Sequence, residues 1–112
     1  MKGHSMQIAT VTEKIRFADE KMQKIGLLET DRFFLDLYCL KPGQAQKLHT
    51  HASSDKVYYV LKGQATVRVG ADQHDLTHGQ AVLVPAGQEH GVTNASGEPL
   101  MLLVFVTPKP SH

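Results

Sequence analysis

Turn-forming residues interrupt this sequence at short, regular intervals, and their spacing limits the folds open to the chain. They are Pro42-Gly43, Gly63, Gly70, Gly79, Pro85 with Gly87, Asn94 with Gly97, and Pro99. The segments between them are rich in Val, Leu, Tyr and Phe, and cover residues 33–40, 57–61, 65–69, 81–84 and 100–106. Short apolar segments separated by Gly and Pro predict an all-β sandwich or barrel. We therefore expect a small antiparallel barrel of two packed sheets, with its core over about residues 24–107.

Residues 12–22 leave two interpretations open. Ile15, Ala18 and Met22 would share one side of one or two helical turns, but with residues 25–28 the region also fits an edge strand.

The segment 33–40 carries bulky apolar side chains on both faces, so its outer face needs a cover from a second sheet or a second subunit. The last strand, residues 100–106, is apolar at every position and needs the same cover. We therefore expect a homodimer in which both outer faces pack together.

Two histidines, His49 and His51, are separated by one residue. On a strand, such residues point to the same face, so both imidazoles would project into one space. On the inner face of a barrel they would supply two adjacent metal ligands, since inward polar rings are costly unless they bind something. The alternative is an exposed strand with two solvated histidines.

A second segment favours the inward arrangement. Residues 81–84 have the character of a buried strand, and the tight reversal Pro85-Ala86-Gly87 leads into a strand that begins at His90. Pro85 fixes φ and Gly87 can adopt positive φ, so the loop before His90 is stiff. A stiff loop could hold a third ligand opposite the first two.

These two segments together resemble the two motifs of the cupin family. The first runs Gly43–x5–His49–x–His51–x4–Lys56–x6–Gly63, and the second runs Gly79–x5–Pro85–x–Gly87–x2–His90–x3–Asn94. The resemblance implies a β-barrel with His49, His51 and His90 as metal ligands. Three histidines with open positions suit a divalent transition metal, and imidazole does not discriminate between Zn²⁺, Fe²⁺, Mn²⁺, Ni²⁺ and Cu²⁺.

One position departs from the cupin pattern, because Lys56 stands where the family has a glutamate. An ammonium cannot ligate a metal and repels a nearby divalent cation. Three arrangements are open. Lys56 turns aside and leaves a three-histidine metal site, or it replaces the metal and draws an anion, or Asp55 reaches in as the fourth ligand.

Four residues outside the three expected metal ligands also have an expected role. Tyr58 lies two residues after Lys56, so it should face the same side of the strand and line the same cavity, chiefly as a core residue. Lys56 and Tyr58 are the candidate catalytic residues. Cys39 is interpreted as a small buried hydrophobic residue. His74 and His78 lie in a polar stretch and are interpreted as solvated turn residues.

Composition excludes several classes of function. A chain of 112 residues with 41 % hydrophobic content supports one domain with one core. A net charge of +1 without a basic stripe argues against nucleic acid. The single cysteine fits a reducing compartment, and the longest apolar run is far below the roughly 20 residues that span a bilayer. We expect a cytoplasmic protein, with residues 1–5 a tag remnant or disordered end and no role for His4.

Two functions from different classes fit these observations. The first is a metal-dependent enzyme, such as a dioxygenase, isomerase or lyase, acting on a small polar substrate. The second is a binding or sensing module that holds a small molecule or anion without turnover. The loss of the family's glutamate removes an obvious acid or base and weakens the first.

Overall fold

The computed structural model describes residues 6–110. Within this range a 3₁₀ helix, Val11–Glu13, precedes nine strands. The strands are β1 (Gln23–Glu29), β2 (Phe34–Leu40), β3 (Ala45–His49), β4 (Asp55–Lys62), β5 (Gln64–Val69), β6 (Asp72–Thr77), β7 (Ala81–Val84), β8 (His90–Thr93) and β9 (Leu100–Thr107). None of the helical structure in this part of the chain is long and apolar enough to cross a membrane. The expectations for residues 1–5, including His4, lie outside the described range.

The strands form two antiparallel sheets that pack face to face, as the turn spacing predicts. The five-stranded sheet has the order β1-β2-β9-β4-β7, and the four-stranded sheet has the order β3-β8-β5-β6. The all-β fold predicted from the sequence is confirmed. Strand β3 lies at one edge of its sheet.

The core lies between the two sheets and follows the alternation of each strand. On β9, Leu100, Leu102, Val104 and Val106 are buried, while the residues between them face outward and are half-buried. Burial of one such side chain stabilises the fold by about 1.5–3 kcal/mol. The same alternation on β4 turns Lys56, Tyr58 and Val60 inward; Tyr59, which faces outward, is exposed.

The N-terminal segment covers part of the outer face of the five-stranded sheet. Val11 and Phe17 pack against Ile25, Leu37 and Cys39. The outer face of β2 is thus covered by the same chain near Leu37 and Cys39, and the expectation that the cover must come from a second sheet or subunit is wrong there. Only one 3₁₀ turn forms within residues 12–22, and the edge strand begins at Gln23.

The polar stretch expected to be a turn is instead mostly strand β6. It pairs with β5 through the two-residue turn Gly70-Ala71, where Gly70 has a φ of 59°. Backbone hydrogen bonds to β5 hold this edge strand without requiring apolar side chains, so its polar composition wrongly indicated a turn. His74 lies on β6 and His78 in the following turn, and both are exposed.

Candidate functional site

A bulge in β3 places two site residues on the inner face. Gln46 pairs with Val92 and His49 pairs with His90, and the register shifts between these two pairs. Residues three apart on a regular strand point to opposite faces, but the bulge lets Gln46 and His49 both face the barrel interior. Both side chains consequently reach Lys56.

His51 lies on the loop after β3, so the strand argument for its orientation does not apply. The loop between β7 and β8 holds it instead, since Gly87 donates its backbone N–H to the His51 carbonyl over 2.9 Å. The His51 ring centroid lies 4.9 Å from that of His49 and 5.8 Å from that of His90. The predicted stiff turn thus anchors both His51 and the strand that follows.

His90 begins β8, as predicted, and is only 1 % exposed. The next residue is Gly91, where a Cβ atom would lie 2.8 Å from the carbonyl oxygen of Gln46. A larger residue would push β8 away from β3, so the glycine permits the close strand approach that sets His90 opposite His49.

Backbone carbonyls fix the ring orientation of two histidines. Nδ1 of His49 lies 2.8 Å from the carbonyl oxygen of Lys47, and Nδ1 of His90 lies 3.0 Å from that of Gln88. A carbonyl can only accept, so each Nδ1 carries the proton and each Nε2 presents a lone pair. Both Nε2 atoms face the barrel interior.

The group that both Nε2 atoms face is the ammonium of Lys56. Its Nζ lies 3.3 Å from Nε2 of His49, from Nε2 of His90 and from Oε1 of Gln46. An ammonium has three protons, and these three acceptors match them. Lys56 is 2 % exposed, so almost no solvent reaches it.

Burial shifts the pKa values of this cluster toward the neutral forms. It lowers the pKa of Lys56 to about 7, with a further contribution from Lys24. It lowers the pKa of His90 to about 4. The pKa values of His49 and His51 are lowered by the same cause. At neutral pH the three imidazoles are therefore neutral, with lone pairs available.

The structure places the side chains of residues 55 and 56. Lys56 does not turn aside. Asp55 faces the opposite side of β4, is exposed, and accepts the Ala86 N–H over 2.9 Å. The suggestion that Asp55 supplies a fourth ligand is wrong, because successive residues of a strand point to opposite faces. Its carboxylate instead stabilises the loop that leads to His90.

Gln46 connects Lys56 to two tyrosines. Tyr58 donates its hydroxyl to Oε1 of Gln46 over 2.7 Å, and Nε2 of Gln46 donates to the Tyr38 hydroxyl over 3.0 Å. Burial raises the pKa of Tyr38 to about 12 and raises that of Tyr58 as well. Tyr58 is therefore a protonated donor at neutral pH, and its contacts are those of a buried core residue.

A cavity of about 450 Å³ opens beside this cluster. Its lining includes Lys24, Asp36, Lys47 and Pro110, together with Phe34, Tyr38, Gln46, His49, His51 and Lys56. Three lysines and one aspartate thus line the cavity. Sequence reasoning missed Gln46, Lys24, Lys47 and Asp36 as site residues. A lone carboxylate on an otherwise apolar strand was a signal for Asp36, whereas nothing in the sequence marks the bulge that turns Gln46 inward.

The three histidines fit a metal ion as a donor set. One ring nitrogen from each lies within 4.8 Å of the other two. Neutral imidazoles of fixed tautomer are the ligands that divalent transition metals take. The ammonium of Lys56 opposes this fit, because it already occupies the lone pairs of His49 and His90.

Known proteins similar to this chain share its barrel. The family model described as cupin domain matches residues 36–106. The crystal structure of TT1209 from Thermus thermophilus has a TM-score of 0.91 and 48 % sequence identity, over 94 % of this chain and 100 % of that one. An uncharacterized protein of Streptomyces coelicolor is 36 % identical over 95 residues, which is 85 % of this chain and 80 % of its own length.

A further relative is the tetracenomycin polyketide synthase protein TcmJ of Streptomyces glaucescens. It is 32 % identical over 75 residues, or 67 % of this chain, and the match spans 50 % of that protein's length. The family model covers more than half of the sequence, and the two sheets, the histidine cluster and the structural neighbours agree with it. On this evidence the chain belongs to the cupin family.

Proposed function

We propose that this cupin binds a small organic anion at the mouth of its barrel, with Lys56 supplying the positive charge that a metal ion supplies in three-histidine sites. The observation that carries the proposal is the position of the Lys56 ammonium, 3.3 Å from Nε2 of both His49 and His90. The lone pairs that would ligate a metal accept hydrogen bonds from a cation that belongs to the chain itself.

Electrostatics favours an anion over a divalent cation in this cavity. A charged Lys56 repels a divalent ion, so such an ion could enter only after Lys56 has lost the proton that it shares with His49 and His90. Lys24 and Lys47 also repel such an ion. An anion instead favours the protonated form of Lys56.

Aromatic rings help to keep Lys56 charged in spite of its burial. Its Nζ lies 5.0 Å from the Tyr58 ring centroid and 5.8 Å from that of Tyr38, within the range of cation–π attraction. A bound anion would add to this effect, because an opposite charge nearby raises the pKa of an amine. We propose binding without turnover, since Lys56, the group of the cluster whose pKa lies near neutrality, is held by three protein acceptors.

Calorimetric titration with succinate tests the proposal. We expect wild-type protein to bind succinate with an affinity that falls as salt is added. Lys56→Met should weaken binding about tenfold or more, since it removes the charge and keeps the length of the side chain. Lys62→Met is the matched control, because Lys62 is an exposed lysine on the same strand, and it should bind as the wild type does.

A second candidate is a metal centre on His49, His51 and His90, and the fixed tautomers of His49 and His90 favour it. A metal held there would polarise or activate a bound substrate as a Lewis acid. Elemental analysis of purified protein separates the candidates. Stoichiometric transition metal without succinate binding would establish the second and overturn the first.

We also propose that the chain forms a homodimer through the uncovered part of the five-stranded sheet. Val57 is paired with Leu83 on one side and Phe105 on the other, and all three face outward. Leu83 is 59 % exposed, and none of the three belongs to the cluster that Val11 and Phe17 cover. A second copy packed on the row would remove it from water.

A further inference from the structure

We infer that Asp36 accepts a hydrogen bond from a hydroxyl group of the ligand, so that the site is built for a small hydroxy acid. The inference rests on the proposed anion site and names the class of anion. It follows from the position of Asp36, the space beside it and the charges around it.

Asp36 lies on the cavity wall. Phe34, Asp36 and Tyr38 alternate on β2, face inward and line the cavity. Among residues 6–110, no side chain forms a salt bridge with Asp36. Burial raises the pKa of its carboxyl group, which Lys24 and Lys56 partly offset. A half-buried acceptor of this kind gains a hydrogen bond when a donor enters the cavity.

The neighbouring strand leaves space for that donor. Gly26 is the cross-strand partner of Asp36, so a side chain at this position would stand beside the carboxylate. A Cβ atom placed there would meet only Oδ1 of Asp36, at 3.8 Å. The missing side chain keeps one flank of Asp36 open.

The surrounding charges decide between a hydroxyl and an ammonium as the donor. Lys24, Lys47 and Lys56 line the same cavity and would repel a ligand cation. They would attract a carboxylate on the same ligand. A neutral hydroxyl next to a carboxylate satisfies both Asp36 and the lysines, and this pairing is the chemistry of a hydroxy acid.

Malate and succinate form a suitable probe pair, because they differ by one hydroxyl group. We expect wild-type protein to bind malate about tenfold more tightly than succinate, as one hydrogen bond to a charged acceptor predicts. Asp36→Val should reduce this ratio to about one, and its succinate affinity should be equal or higher because a negative charge has gone. Asp36→Asn, which keeps a weaker acceptor, should give an intermediate ratio. Asp72→Asn, an exposed aspartate on β6, should leave the ratio unchanged.

A second variant tests the open flank without touching the carboxylate. Gly26→Val fills the space beside Asp36 and suits a strand, so it should weaken malate binding more than succinate binding.

The outcomes separate the two proposals. Equal affinities of the wild type for both acids, or a malate preference that survives in Asp36→Val, would overturn the role of Asp36 and leave the anion site standing. Failure of both acids to bind at millimolar concentration would overturn the anion site and this inference together.

Discussion

The Nζ atom of Lys56 lies 3.3 Å from Nε2 of His90, and both side chains are almost completely buried. The two residues come from different sheets, Lys56 from β4 and His90 from β8. The Lys56 ammonium thus uses the lone pair of His90 that a metal ion would need. Substitution of this one residue should therefore change which ion the site prefers.

Lys56→Glu should convert the site into a metal centre. The change replaces a repelling ammonium by an oxygen ligand beside three neutral imidazoles, so we expect the affinity for Mn²⁺ or Zn²⁺ to rise by at least about a hundredfold over the wild type. Titration with each metal measures it. Adding His51→Ala to this variant should abolish stoichiometric loading while the barrel stays folded. An affinity for Lys56→Glu at or below that of the wild type would contradict the placement of residue 56 at the histidine cluster.

Burial of Lys56 should make stability depend on pH above neutrality. Its pKa is about 7 in the folded protein and 10.5 when unperturbed, so between these values the unfolded chain binds more protons. Stability therefore rises with pH across this window, and the penalty for burying the ammonium is fully present below pH 7. Lys56→Met lacks the penalty. Between about pH 7 and 10, the free energy of unfolding of metal-free wild type, measured in urea, should rise by a few kcal/mol relative to that of Lys56→Met. Parallel curves for the two proteins would contradict the shift.

Much of the fold could be predicted from local signals, but the details of the site could not. Gly and Pro spacing predicted most of the strands but not β6, and the turn at Pro85 and Gly87 predicted a fixed His90, because these residues restrict the backbone directly. The inward position of Gln46 depends on a bulge in β3, and the pairing of β3 with β8 produces that bulge. No residue type marks the bulge. Counting back from His49 with the two-residue period of a strand therefore places Gln46 on the outer face.

Gln46→Leu should destabilise the protein by about 2–4 kcal/mol, since it removes the acceptor of the buried Tyr58 hydroxyl and one of the three acceptors of the Lys56 ammonium. Chemical denaturation measures the change. Gln73→Leu is the control, because Gln73 is exposed on β6 and should change stability by less than about 0.5 kcal/mol. Equal effects of the two substitutions would mean that the Gln46 amide does not hold this network.

Gly91→Ala should weaken the contact between β3 and β8. Its Cβ would lie 2.8 Å from the carbonyl oxygen of Gln46, which is backbone and cannot swing aside, so we expect a loss of about 1–3 kcal/mol in stability. The shift should also displace His90 from His49 and weaken succinate binding. Gly97→Ala, where a Cβ meets nothing within 4 Å, should leave both quantities unchanged. Wild-type stability in Gly91→Ala would show that the strands separate without cost.

Leu83→Glu should convert the proposed dimer into a monomer. Leu83 is 59 % exposed and lies beside Val57, with Phe105 beyond, on the outer face of the five-stranded sheet. A charge there costs little in an isolated chain, because the position is already in contact with water, but it would be buried without a partner between two copies. Leu48→Glu is the matched control, since Leu48 is 42 % exposed on the four-stranded sheet. Light scattering at micromolar concentration should give twice the 12.4 kDa chain mass for the wild type and the control, and one chain mass for Leu83→Glu. A wild-type monomer would show that this apolar row stays in contact with solvent, and a dimeric Leu83→Glu would place the interface elsewhere.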